Sequence, residues 1–226
     1  MKLSRLLAAC ACFLYSQLAC AFIWPNVPAP PQSTHSNMAD EIIINNVEMR
    51  ITNFESRLST RQVVAFYRNK WRDKFAESQS GPWQQISHGN KNYFITVQVK
   101  DAGFSGSMGR INISKVPDGL PKKKTTVPMM QGSRIANQVI TKDKLTTSTM
   151  VLLINLNTVD DNVEFYEKNY SQKGWKIIFQ KDHQDKNSGV SLVFSKGTDE
   201  TSVTIKKVKN HSTVILNEVK KRSWFN

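Results

Sequence analysis

Cysteine is confined to the first twenty residues of this 226-residue chain, at Cys10, Cys12 and Cys20. The remainder therefore has no thiol nucleophile, no Cys-ligated zinc and no thioredoxin-like redox pair. Histidine is also scarce: none of the four histidines lies three or four positions from another, which excludes a helix-borne histidine metal site. No Gly-x-Ser-x-Gly elbow occurs, and the glycine-rich stretch 103–109 lacks the Gly-Lys-Ser/Thr ending of a phosphate-binding loop.

Acidic residues are few beside basic ones, 18 against 31, and the formal net charge is +13. This balance favours anionic partners such as lipid headgroups or lipopolysaccharide, although a basic surface also serves solubility alone. The densest basic runs are Lys122-Lys123-Lys124, Lys206-Lys207 with Lys209, and Lys220-Lys221-Arg222.

The first 21 residues have the order of a cleavable secretory signal. Lys2 and Arg5 precede ten mostly apolar residues, Leu6 to Tyr15, and the segment ends Ala19-Cys20-Ala21. An apolar run of this length is too short to span a membrane, which takes about 20 residues. We therefore expect an exported, periplasmic protein that begins near Phe22 and has no transmembrane helix after cleavage.

Cys20 supports an alternative reading, in which the cysteine is lipidated and tethers the protein to a membrane. Lipoprotein signals place a Leu-small-small triplet before that cysteine, and the triplet here is Gln17-Leu18-Ala19. Gln17 and Leu18 both depart from the pattern, so lipidation remains the second choice.

Two segments of the chain repeat one pattern. In the stretches 59–71 and 158–170, a Ser or Thr suited to N-cap a helix is followed by Phe-Tyr and, four residues after the Tyr, by another aromatic residue. Apolar residues at helical spacing give each stretch one apolar face, as in an amphipathic helix. A glycine and a tryptophan follow each stretch, ending in Trp83 and Trp175, and we expect both tryptophans to open strands.

The repeat predicts an α+β fold of two tandem modules, each with one helix packed on a small antiparallel sheet in the order strand-helix-strand-strand-strand. Residues 42–119 form module 1 and residues 134–219 form module 2. Residues 22–41 are expected to be a Pro-rich disordered spacer, residues 120–133 a basic linker and residues 220–226 a basic-aromatic tail.

The Phe-Tyr…Gly-Trp pattern resembles a small module of exported bacterial envelope proteins and lipoproteins that has no assigned chemistry. The resemblance covers 59–83 and 158–175 best. It implies a compartment and a fold, and it transfers no catalytic residue.

The candidate contact residues lie outside the predicted cores. Phe104 is an aromatic in a Gly/Ser loop, and Trp224 and Phe225 follow the basic run that ends at Arg222. The other aromatics, including Trp83 and Trp175, are assigned to the two cores. The alternative for both contact regions is a locally packed or disordered end.

The function expected from these features is a non-catalytic binding or assembly accessory protein of the bacterial envelope, whose exposed strand edges accept a partner strand. A polyanion- or membrane-surface-binding protein is the first alternative, and an exported enzyme with a dispersed site is the second. Asp160-Asp161 suits the first turn of a helix, and Asp199-Glu200 suits a turn, so neither pair indicates hydrolysis. We therefore expect no enzymatic activity, no metal, no cofactor and no nucleotide ligand.

Overall fold

The computed structural model describes residues 24–72, 74–90, 92–119, 124–183 and 189–222. In this part of the chain the elements are β1 (Ser33–Asn37), β2 (Glu41–Ile44), β3 (Val47–Ser56), α1 (Thr60–Trp71), β4 (Ala76–Ser80), β5 (Trp83–Gly89), β6 (Tyr93–Asp101), β7 (Ser107–Lys115), β8 (Arg134–Lys142), β9 (Thr146–Asn155), α2 (Val159–Gln172), β10 (Lys176–His183), β11 (Gly189–Lys196), β12 (Asp199–Val208) and β13 (His211–Lys221).

All of these strands belong to one antiparallel sheet, so the expectation of two separate α+β modules is wrong. Twelve strands follow the order β10-β11-β12-β13-β9-β8-β2-β3-β7-β6-β5-β4, and β1 pairs with β3 beside this path. Strands make up 56% of the described residues, which contain two α-helices. The separation fails because β2 pairs with β8 and fuses what the sequence pattern presented as two small sheets.

The sheet nevertheless repeats one topology twice about the β2–β8 pairing. We call β2–β7 with α1 the first half and β8–β13 with α2 the second half. In each half two strands precede the helix and four follow it, in the same spatial order counted outward from the junction. Each half thus has one strand more before its helix, and one more after it, than the predicted order.

Each half has its own hydrophobic core between its helix and its strands. Tyr67 and Tyr166 are the fully buried centres of the two cores, and each phenol O–H donates to a proline carbonyl, of Pro28 and Pro128 respectively. Burial raises the pKa of both phenols well above the ordinary value, so both remain protonated donors. These bonds hold the segment that precedes each half against the core.

The residues after position 24 therefore do not form the extended spacer predicted from their prolines. Trp24 and Val27 pack against the first core, and β1 pairs with β3 over five residues. The prolines disfavour a helix in this segment, but they do not prevent it from packing against the first core.

Both helices begin with a capping box, as their N-cap residues predicted. The hydroxyl of Ser59 accepts from the backbone N–H of Gln62, and that of Thr158 accepts from the backbone N–H of Asp161. The side chain of Asp161 accepts in return from the backbone N–H of Thr158, and hydrogen bonding to Thr158 lowers the pKa of this carboxyl. The Asp160-Asp161 pair therefore has the structural role that its position at a helix start predicted.

The two helices cover the same face of the sheet. Ile44 and Val139 face each other across the junction and belong to the positions that point away from both cores, because side chains alternate along a strand. We call the face opposite the helices the open face. It extends across the junction, where Ile42 lies on it and is buried.

Candidate binding surfaces

The two outermost strands of the sheet, β4 and β10, each have one strand neighbour in the described part of the chain. An edge strand presents N–H and C=O groups that have no ladder partner, and a further strand can pair with them. β4 is short, with five residues, whereas β10 has eight. The length of β10 makes it the better template for an incoming strand.

The two edges also differ in the side chains that they expose. Ile177, Ile178 and Phe179 of β10 are 44%, 58% and 50% exposed, respectively. Counted from the aromatic residue that precedes each strand, the corresponding residues of β4 are Glu77, Ser78 and Gln79. One end of the sheet therefore has a polar edge and the other an apolar edge.

The polar edge is further closed by an ion pair. The guanidinium of Arg68 on α1 donates two hydrogen bonds to the carboxylate of Glu77, and this contact lowers the pKa of Glu77. Short length and charge are the ordinary means by which proteins protect a sheet edge. In β10 the one irregularity is a register shift between Ile177 and Phe179, which leaves Ile178 as an extra residue.

A second surface lies on the open face of the first half, around Trp83. The Nζ of Lys100 is 4.9 Å and the Cζ of Arg110 is 5.3 Å from the centre of a Trp83 ring, which is the range of cation–π contacts. The Nε of Arg110 also donates to the Oε1 of Gln98 at 2.6 Å. Both cations are thus oriented by neighbours that carry no charge. We call Trp83, Gln98, Lys100 and Arg110 the cationic platform.

An open recess of about 420 Å³ adjoins the cationic platform. Residues of β1, β3, β5 and β7 line it, among them His35, Asn53 and Glu55. The recess therefore has the Arg110 guanidinium, the Asn53 amide and the Glu55 carboxylate on the open face, within reach of one small ligand.

The assignment of Trp83 to the core was wrong, whereas Trp175 is a core residue and 9% exposed. Trp83 opens β5, the second strand after its helix, but Trp175 precedes β10, the first strand after its helix. The first-half counterpart of Trp175 is Phe75, which packs against the first core. The Gly-Pro-Trp sequence between β4 and β5 is similar to the Gly-Trp sequence of the second half, and for that reason the two tryptophans were assigned the same role.

Phe104 lies where its loop predicted, at the tip of the β6–β7 hairpin in the 3-10 turn Gly103–Ser105, and it is fully exposed. Lys124 is exposed on the segment that leads to the second half. Lys122, Lys123, Trp224, Phe225 and Cys20 lie outside the described residues.

The basic run Lys220-Lys221-Arg222 is not a tail separate from the fold. Lys220 and Lys221 belong to β13 and pair with β9, and the ammonium of Lys220 contacts the carboxylate of Glu218 at 2.8 Å. The backbone N–H of Arg222 donates to the carbonyl of Leu145. The strand continues two residues beyond the boundary at 219 that the sequence pattern suggested for the second module.

Among the described residues, no group of three or more His, Cys, Asp or Glu side chains is placed to hold a metal ion. His88 stacks on Trp71 with ring centres 5.4 Å apart. Nδ1 of His88 also bonds the carbonyl of Lys74. This histidine is accounted for by packing.

Comparisons of the chain with protein-family models, curated proteins and solved structures found no match. Nothing in them bears on the resemblance to an exported envelope module, which stays a prediction. Within the described residues, no helix has the length and apolar character needed to span a membrane.

Proposed function

We propose that this protein is a non-catalytic, exported binding or assembly protein of the bacterial envelope that receives an extended segment of a protein partner along β10. The observation that carries the proposal is the contrast between the two sheet edges. At the same distance along the chain from the preceding aromatic core residue, β4 has Glu-Ser-Gln at the protected edge and β10 has exposed Ile-Ile-Phe at the other.

An added partner strand would provide hydrogen-bond partners for the outer backbone groups of β10 and would cover its exposed apolar side chains. The partner backbone would pair with the free edge of β10, and its alternate side chains would cover the apolar residues. Ile177, Ile178 and Phe179 are about half exposed, so covering each contributes about 1 kcal/mol. The backbone ladder provides affinity, and the side-chain contacts provide specificity.

The charges on β10 indicate which segment would fit. Lys176 and Lys181 flank the apolar triplet, and Asp182 follows near the far end. A partner strand with an apolar centre and acidic residues on its flanks would place opposite charges across the new pairing. The net charge of the whole chain favours the same kind of partner.

The test uses the repeat as its own control. A photo-crosslinking residue replaces Gln180 in β10 or Ser80 in β4, which lies at the same distance from the preceding aromatic residue, and each protein is expressed in its native host. We expect one stoichiometric adduct with an envelope protein from position 180, resistant to high salt, and none from position 80.

A triple variant then joins the experiment, in which Ile177→Glu, Ile178→Ser and Phe179→Gln give β10 the sequence of β4. We expect it to keep the circular dichroism spectrum and to lose the adduct at position 180. Equal adducts from both edges, or an adduct that survives the triple substitution, would show that the apolar edge is not the docking site.

A further inference from the structure

Beyond the strand-binding edge, the cationic platform has the chemistry of a ligand site. We propose that the open face of the first half binds a phosphate ester carried on a polyol, with Arg110 and Lys100 holding the phosphate. The site is separate from β10, since the two surfaces lie in opposite halves of the sheet.

The two cations are held in place but are not neutralised. Trp83 and Gln98 orient them through the contacts described above, and neither cation forms an ion pair with a carboxylate of the described residues. Since Nε of Arg110 serves Gln98, the terminal nitrogens keep the paired donors that match two oxygens of a phosphate. A pre-oriented guanidinium loses less side-chain entropy when an anion binds.

Polar side chains continue from Arg110 along the sheet in both directions. The strand register places Ser36 opposite Asn53, Asn53 opposite Arg110, Arg110 opposite Gln98 and Gln98 opposite Gln85, all on the open face. Opposite residues of neighbouring antiparallel strands lie about 5 Å apart at Cβ. Amides therefore flank the guanidinium on both sides, with a hydroxyl beyond Asn53 on one of them, and these groups can donate to and accept from the hydroxyl groups of a sugar or glycerol.

Glu55 favours a polyol phosphate over a bare polyanion. Glu55 lines the recess together with Arg110, and its carboxylate would repel a run of phosphates but accept hydrogen bonds from hydroxyl groups. The recess, of about 420 Å³, is in the size range of small-molecule sites. Nucleic acid, which offers phosphates at regular intervals, is the poorer fit.

The second half has the same topology but lacks this arrangement, so the cationic platform is not a general consequence of the fold. Counted from the paired core positions, the counterparts of Trp83 and Arg110 are Gly189 and Ile215. The counterpart of Lys100 is Lys206. Lys206 is thus a matched control for removing one positive charge from the same face and strand position.

Phe104 distinguishes between the two possible sources of a polyol phosphate, a lipid headgroup and a free sugar phosphate. It stands fully exposed at the tip of the hairpin whose two strands carry Lys100 and Arg110. If the polyol phosphate is a lipid headgroup, Phe104 would enter the interfacial region of the bilayer while the platform holds the headgroup. If the ligand is a free sugar phosphate, Phe104 would make no contribution.

The experiment measures binding to the purified chain from Phe22 onward. The probes are glucose 6-phosphate, glucose, inorganic phosphate, and vesicles of phosphatidylglycerol in phosphatidylcholine. Calorimetry follows the small molecules and sedimentation follows the vesicles. We expect a phosphorylated polyol, free or in vesicles, to bind more tightly than inorganic phosphate, and glucose alone not to bind.

Arg110→Gln and Lys100→Gln should each weaken this binding about tenfold or more, since a hydrogen-bonded charge is lost, whereas Lys206→Gln should leave it within twofold. Phe104→Ala should reduce vesicle binding alone. Unchanged melting temperatures show that the variants fold.

Absence of binding to every phosphorylated probe would overturn the proposal. Equal weakening by Lys206→Gln would do the same, because it would indicate diffuse charge rather than a site. The triple β10 variant should bind the probes normally, so the platform and the strand-binding edge can fail independently.

Discussion

Asn162 occupies a position on α2 at which α1 has Val63, and both side chains are completely buried. Its amide is satisfied by Asn155, which lies at the end of β9. The Nδ2 of Asn155 donates to the Oδ1 of Asn162 at 2.8 Å, and the Nδ2 of Asn162 donates back to the Oδ1 of Asn155 at 3.1 Å. The first half has Ser56 and Val63 at the corresponding positions, so each half connects helix and sheet with a different but locally complete set of contacts.

Replacing one partner of this pair should cost more than replacing both. Asn162→Val leaves the buried amide of Asn155 without two of its hydrogen bonds, so we expect a loss of about 2 kcal/mol in the free energy of unfolding. Adding Asn155→Ser reproduces the residues of the first half and should recover part of that loss. Urea unfolding of the two single variants and the double variant measures the coupling. Additive losses would mean that the two amides act independently.

At the scale of the element, β7 depends on a glycine at the point where Phe54 crosses it. Phe54 and Gly109 are paired residues of β3 and β7, and a Cβ on Gly109 would lie 2.4 Å from Cζ of Phe54 and 2.3 Å from the carbonyl oxygen of Gln98. The strand therefore has room for a buried aromatic ring only where it has no side chain. Arg110 follows that glycine in the same strand, so the packing of Phe54 on Gly109 also fixes where Arg110 lies in the cationic platform.

Gly109→Ala should destabilise the protein by about 3 kcal/mol, because the contact with the carbonyl cannot be relieved by rotating a side chain. Gly119→Ala is the control, since a Cβ at that position meets nothing within 4 Å. Thermal unfolding of both variants tests the difference. Similar melting temperatures for the two variants would show that β3 and β7 can separate at little cost.

At the scale of the whole molecule, the two halves share a sheet but not a core. The pairing that joins them covers four residues of β2, from Glu41 to Ile44. The ion pair of Glu41 with Lys142 and the hydrogen bonds between Asn45 and Gln138 add to this junction. Exposed ion pairs contribute little, whereas each core buries about a dozen residues.

We therefore expect unfolding in two steps, one for each half. Variants that retain a single core tryptophan, Trp71 in the first half or Trp175 in the second, would report the steps separately by fluorescence. Asn162→Val should shift the midpoint of the second-half step in urea and leave the first-half step in place. A single transition that shifts as a whole would show that the junction couples the cores into one cooperative unit.

The local structure of both helices could be predicted from the sequence because its causes are local. Ser59 and Thr158 are followed at the third position by a side chain that can complete a capping box, and the apolar stripes recur at helical spacing. The strands that follow the helices alternate apolar and polar residues, and the hairpin between β12 and β13 turns at Lys209-Asn210, where Asn is a residue type typical of turns. Duplication was also readable, because the Phe-Tyr pairs and their caps lie at equal distances in the two copies.

The location of Phe104 could be predicted, but the two candidate surfaces could not. The alternation in β5 is compatible with either face, and Trp83 was assigned to the core because aromatic residues usually are buried. In the structure Ile86 takes the core position of β5. Trp83, three residues away, therefore falls on the open face. The apolar triplet of β10 was part of an expected strand, and its position at the edge depends on which strands find partners.

Local signals in the sequence specify each segment whose causes lie within one turn of helix or one hairpin, and the export pattern, the repeat and the net charge can be read there too. The pairing of β2 with β8, the union of the two small sheets and the position of β4 and β10 at the outer edges depend on the complete fold. This is because strand pairing is non-local. A β-strand carries its hydrogen-bonding groups on both sides whatever its sequence, so its neighbours are selected by the packing of the whole sheet.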